Sequence, residues 1–152
     1  MNKAGTLKIG ENWTYTLRDL NGNLISVQKV TNTITNTWKT VIRDWMYGGT
    51  GSHPVALAIG TGTNTPSATD TTLQIEYSRQ SATASKPSSY VVKYSKDFTF
   101  GSGTSEDITE AGLFDSVTAS GSTMIARNTC SAISVTSSTT LTVEAEITIA
   151  EA

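Results

Sequence analysis

The chain has 152 residues, a mass of 16.1 kDa and a formal net charge of −2. Only 16% of its residues are charged, whereas 45 of the 152 are Thr or Ser. This length fits one domain. Thr favours strands and Ser favours turns, so β structure with many loops is expected. The acidic balance argues against a nucleic-acid partner. No apolar run approaches the ~18 residues of a membrane helix, so we expect no membrane partner.

Residues 1–11 contain too little apolar surface to fasten themselves to a core. We predict that residues 1–11 are an N-terminal arm and that residues 12–152 are a single β domain. Leu7 and Ile9 lie two residues apart, so both would point into the sheet of a neighbouring protein if the arm added to its edge. The predicted interface residues are Lys3, Leu7, Lys8 and Ile9. The alternative is a frayed tail without a role.

A β-hairpin is predicted next. Apolar and polar residues alternate from Trp13 to Leu17, the period of a half-buried strand. Asn21-Gly22 follows, and this dipeptide supplies the positive φ angles of a tight turn. The returning strand is predicted at 24–30.

One segment has the period of a helix. Trp38, Val41, Ile42 and Trp45 follow the spacing i, i+3, i+4, i+7, which places them on one helix face. Asn36 or Thr37 can cap the start, and Gly48-Gly49 can end it. A single helix of about ten residues is therefore predicted.

The rest of the chain alternates between predicted strands and loops. The apolar run 55–59 has the length of a strand buried on both faces, and 90–100 is a strand with a bulge near Lys96-Asp97. Further strands are predicted at 108–114, 123–135 and 141–149, and loops at 48–53, 61–72 and 81–89. Six to eight short strands predict a mainly β fold, an antiparallel β-sandwich or jelly roll whose open end the short helix closes.

The side chains that nucleophilic catalysis uses are scarce. His53 and Cys130 are the single His and the single Cys, so an intrachain disulfide, a cysteine zinc site and most histidine metal clusters are excluded. A catalytic triad would need His53, and no Gly-x-Ser-x-Gly elbow is present. Cys130 lies in a predicted strand, where a Cys ordinarily acts as a small hydrophobe.

The carboxylates and glycines give no stronger indication of a catalytic or binding site. Glu144 and Glu146 share one face of the last strand and are expected to be solubilising. Gly60-Thr61-Gly62 lacks the Gly-Lys-Ser/Thr ending of a phosphate loop. Glu106-Asp107 with Asp115 is only a weak calcium possibility. We assign no catalytic, cofactor-binding or metal residue, expect no cofactor, and predict that the chain is not an enzyme.

Three ordered stretches carry a resemblance. They run from Ala56 to Glu76 (ALAIGTGT, then PSATDTTLQ), from Ile108 to Asp115 (ITEAGLFD) and from Met124 to Arg127 (MIAR), and an alternating C-terminal strand follows. In order and spacing they are similar to small β-rich virion structural proteins of tailed bacteriophages, closest to capsid decoration, or cement, proteins. The resemblance covers about two-thirds of the chain, from Val55 to Ile149.

This resemblance implies a function without catalysis. It implies a decoration protein that binds the outer capsid surface and stabilises the shell. The implied partners are the major capsid protein and further copies of the chain, as a homotrimer. The implied location is the capsid exterior of the virion, after assembly in the host-cell cytoplasm. The alternative is a structural or host-adhesion module of the phage tail or fibre. The three stretches are interpreted as fold determinants and assign no binding residue.

Overall fold

The computed structural model describes residues 7–151, with side chains for residues 8–150. Strands account for 58% of the described residues and helix for 8%. Two antiparallel five-stranded sheets form a β-sandwich with one short helix, which confirms the predicted fold class. The elements are β1 Leu7–Asp19, β2 Leu24–Thr31, β3 Thr33–Ile34, α1 Asn36–Met46, β4 Ala56–Gly60, β5 Glu76–Ser81, β6 Thr83–Ser88, β7 Val91–Thr99, β8 Ser105–Phe114, β9 Met124–Thr136 and β10 Thr139–Glu151. Sheet A has the order β2-β1-β10-β7-β6, and sheet B has the order β3-β9-β8-β4-β5.

The core lies between the two sheets. Alternation along β1 directs Trp13, Tyr15 and Leu17 inward, and each of them is buried. Their partners in β10 are Ala145, Val143 and Leu141, which are also buried. Sheet B contributes a second inward row, so apolar side chains of both sheets meet in one cluster. Burial of each large side chain stabilises the fold by roughly 1.5–3 kcal/mol.

The predicted hairpin and helix are confirmed. Gly22 has φ 83° in the turn between β1 and β2. The cap of α1 is Thr35, not Asn36 or Thr37, because the buried Thr35 hydroxyl accepts from the Trp38 backbone N–H at 3.2 Å and donates to the Met124 carbonyl at 2.6 Å. One hydroxyl thus begins the helix and ties it to β9.

The N-terminal arm differs from the prediction. β1 begins at Leu7, six residues before Trp13, and pairs with β10 from Leu7↔Glu151 onward. The residues of the expected arm from 7 to 11 are therefore part of sheet A, because the long β10 offers backbone partners along its whole length. No boundary lies between residues 11 and 12. Residues 1–6, with Lys3, lie outside the described residues.

Two local predictions are wrong. The pairing of β7 with β10 shows no register shift, and Lys96 stands opposite the inward-facing Val143. The alternation therefore continues through Lys96, and no bulge is needed. The predicted loop 81–89 contains the strand β6. All six residues of β6 are exposed at the edge of sheet A, so no apolar alternation marks the strand.

Candidate functional site

The three stretches that carry the resemblance meet on the outer face of sheet B. Glu110 comes from β8, Arg127 from β9, and the loop between β4 and β5 lies over both. An irregularity between Ile108 and Glu110 allows Ile108 and Ala111 to face the core while Glu110 faces outward. We call this loop, residues 61–75, the cover loop.

Glu110 fastens the two ends of the cover loop. Its side chain is fully buried. Its carboxylate accepts hydrogen bonds from the backbone N–H groups of Gly62 at 3.0 Å, Gln74 at 3.1 Å and Ile75 at 2.8 Å. A carboxylate that accepts several backbone N–H groups replaces the water it loses on burial. Glu110 therefore joins the two ends of the cover loop. We call these three hydrogen bonds of Glu110 the clasp.

Arg127 completes this network. Its side chain is 3% exposed, and it donates to Glu110 at 2.9 Å, to Asp70 at 2.8 Å and to the Asn64 carbonyl at 3.2 Å. Burial by itself would lower the pKa of Arg127, but the hydrogen bonds and charges of Asp70 and Glu110 raise it above its usual value. The guanidinium therefore remains charged, and its donors are used within the chain.

The glycines of the same stretches make room for the clasp. A Cβ atom on Gly60 would lie 2.7 Å from Glu110 Oε1, and one on Gly62 would overlap the same oxygen. A Cβ atom on Gly112 would lie 2.8 Å from the Phe114 ring and 3.0 Å from Leu73. Gly60 and Gly62 therefore leave no room for a side chain beside the carboxylate, whereas a methyl group at Gly112 would require Phe114 and Leu73 to shift. The network holds the cover loop in place, and the charged side chains of Glu110, Arg127 and Asp70 pair with one another.

The four predicted interface residues have different surroundings. Lys8 is exposed. Ile9 is half-buried and lines an apolar groove of about 310 Å³ beside Trp38, Trp45 and Ile149, so its side chain packs against its own molecule. Leu7 lies in β1, and Lys3 lies outside the described residues. Of these four residues, Lys8 is the one whose described side chain is exposed and could contact a partner.

His53 and Cys130 lie in different surroundings. His53 is exposed at the rim of the same groove. Cys130 is half-buried in β9, where its Sγ donates to the Ile108 carbonyl at 3.8 Å. Burial raises the pKa of the Cys130 thiol to about 11, so the nucleophilic thiolate is scarce at neutral pH. No hydrogen bond of the described residues joins the two side chains.

The carboxylates considered in the sequence are also separate. Glu144 pairs with Lys93 at 2.8 Å. Glu106 and Asp107 lie near the start of β8, whereas Asp115 follows its end. Within residues 7–151, no group of three or more His, Cys, Asp or Glu side chains could hold a metal ion. No helix in that range is long and apolar enough to cross a membrane.

Sequence reasoning missed the buried carboxylate of Glu11. Glu11 is 6% exposed, and its Oε2 accepts from Asn32 Nδ2 at 2.6 Å, while Oε1 has no partner among the described atoms. Burial raises its pKa to about 8, against the opposing effect of the Asn32 hydrogen bond. The alternation along β1 could have predicted this burial, because Glu11 lies between Ile9 and Trp13 in the row of side chains that faces the core.

Comparison with known proteins gives no relative: no family model, no curated protein and no solved structure matches this chain.

Proposed function

We propose that this chain is a capsid decoration protein of a tailed bacteriophage, which binds the outer surface of the shell and stabilises it without catalysis. One observation carries the proposal. The residues through which the sequence resembles decoration proteins converge on the Glu110–Arg127 network and its glycines. In this chain the stretches behind the resemblance therefore serve the fold, as expected for a structural protein.

The chemistry of the described side chains supports a binding role. The buried charges of Glu110 and Arg127 neutralise each other, and the Cys130 thiol is held in its protonated form. Catalytic groups instead combine a perturbed pKa with an open cleft. Glu11 has a strongly raised pKa, but it is buried against Asn32 and does not line the groove beside α1.

Decoration would act by mass action. A protein that binds the assembled shell and not its dissociated subunits stabilises the shell, and the stabilisation grows with the logarithm of its free concentration relative to the dissociation constant. The decoration protein needs a rigid framework and an exposed contact surface. The end of sheet A provides an exposed position, because β1 and β10 continue past β2 and β7 as a two-stranded ribbon that carries Lys8. Assembly as a homotrimer with the major capsid protein as partner remains part of this proposal.

The test is reconstitution on shells that lack the protein. Purified chain is added to such shells, and the bound fraction is measured by co-sedimentation and the survival of the shells by heating. We expect saturable binding and a higher temperature of shell disruption. Binding to isolated tails without binding to shells would contradict the proposal and favour the tail module.

A matched pair of variants tests the contact residue. Lys8→Glu on the ribbon is expected to weaken binding to shells at least about tenfold, or 1.4 kcal/mol. Lys39→Glu makes the same charge change at an exposed position of α1 and is expected to leave binding unchanged. Equal affinities of the two variants would remove Lys8 from the interface while leaving the shell-binding result intact.

A further inference from the structure

The buried carboxylate of Glu11 lacks the partners that the carboxylate of Glu110 has. Glu110 receives three backbone N–H groups and the guanidinium of Arg127. Glu11 is 6% exposed, and from the described residues it accepts one hydrogen bond, at Oε2 from Asn32 Nδ2 at 2.6 Å. Its Oε1 is buried without a partner among the described atoms. A buried carboxyl group with so few donors is favoured in its neutral form, because the charged form has lost its water without replacement.

The surroundings of Glu11 supply no counter-charge. The titratable neighbour in β7 is Tyr94, whose pKa is raised by its own burial and by the charge of Glu11, so its phenol is uncharged at neutral pH. On the side of α1, His53 is exposed at the rim of the groove. Charged residues that flank Glu11 along and across the strands alternate to the outer face of sheet A, namely Lys8, Lys29 and Glu146. Burial accordingly raises the pKa of Glu11 to about 8.

Glu11 stands where β1 gains its second neighbouring strand. β2 pairs with β1 from Asn12 onward, so residues 7–11 have β10 as their one strand neighbour. Asn32 is the single residue between β2 and β3, where the chain passes from sheet A to sheet B. Its hydrogen bond to Glu11 therefore fastens residues 7–11 to the connection between the sheets. A strand end with one neighbour opens at a lower free energy than the core.

We infer that Glu11 is a proton-controlled latch: its protonated carboxyl group holds residues 7–11 in sheet A, and its ionisation opens this segment while the rest of the sandwich stays folded. Opening brings the carboxyl group into water, where its pKa returns to the ordinary value of 4.5, whereas in the closed form the pKa is about 8. The protonated group therefore stabilises the closed form fully below pH 4.5, and this stabilisation is lost as the pH rises towards 8. The segment is held in mild acid and loosens towards neutral pH.

Amide hydrogen exchange at a series of pH values tests the latch. The measured quantity is the protection factor, which removes the direct effect of pH on the exchange chemistry. For the amides of residues 7–11 that bond to β10, we expect protection to fall at least about tenfold from about pH 5 to about pH 7. These amides should be less protected than core amides throughout, because they exchange by local opening. Amides of β5, an edge strand of sheet B, should show no comparable fall, since their local opening leaves Glu11 buried.

A matched pair of variants assigns the effect to Glu11. Glu11→Gln should abolish the fall in residues 7–11, because an amide does not titrate in this range. Glu106→Gln replaces an exposed carboxylate of β8 and should retain the fall. A fall that persists in Glu11→Gln would overturn the inference and indicate another titrating group, such as His53. In the unsubstituted protein, residues 7–11 that exchange only together with the core, by global unfolding, would overturn it as well, and this comparison needs no variant to fold.

The latch does not depend on the proposed function. Residues 7–11 include Lys8, so opening would change the surface that is proposed to contact the shell. Hydrogen exchange is measured on the isolated chain, whereas shell binding is measured with shells. The two proposals therefore fail independently.

Discussion

The pH dependence of folding stability tests the buried carboxylate of Glu11. Burial raises the pKa of Glu11 from 4.5 to about 8 in the folded protein. The folded state therefore favours the neutral carboxyl, and its contribution is fully present below pH 4.5 and is lost as the pH rises towards 8. Between pH 4.5 and about pH 7 the loss amounts to about 3 kcal/mol.

Glu11→Gln removes this dependence because an amide does not titrate in that range. The stability of the variant relative to the unsubstituted protein should therefore rise by about 3 kcal/mol from pH 4.5 to about pH 7, whatever its absolute value. The assay is urea unfolding at a series of pH values, with Glu106→Gln, an exposed carboxylate, as the control. Parallel pH profiles of the Glu11 variant and the unsubstituted protein would refute the buried, neutral carboxyl.

Three further predictions address the clasp, the helix and the thiol. Gly62→Ala should lower the free energy of unfolding in urea by about 1–3 kcal/mol, because the added methyl group meets Glu110 Oε1. Gly101→Ala, which has open space around it, should leave the stability unchanged, and equal effects of the two substitutions would count against the clasp. Trp38→Ala should cost about 3–5 kcal/mol by leaving a cavity, and Lys39→Ala should be nearly neutral, so equal losses would contradict the assigned helix face. Cys130 should react with a thiol reagent at neutral pH much faster in denaturant than in the folded protein, and equal rates would show an accessible thiolate.

The elements that sequence predicted well are those whose periodicity reflects burial. The alternation in β10 and the helical spacing from Trp38 to Trp45 both arise because one face contacts the core. β4 was predicted as a strand buried on both faces, and all five of its residues are buried, since the cover loop packs on its outer side. The spacing of apolar residues was therefore enough to predict the main elements of the fold.

The elements that sequence missed depend on partners far away in the chain. β6 is a strand because β7 offers it backbone hydrogen bonds, and its own exposed residues carry no pattern. The start of β1 at Leu7 likewise follows from the length of β10. Glu110 and Arg127 looked like ordinary charged residues of strands, and only the fold brings Arg127 to Asp70, 57 positions away. Such contacts leave no local signal.

Cryo-electron microscopy of virions that carry the chain tests the proposed function most directly. The account predicts density of the size and shape of this β-sandwich on the outer surface of the capsid, in contact with the major capsid protein, and absent from virions produced without the chain. Density confined to the tail or fibres, with a bare capsid surface, would contradict it.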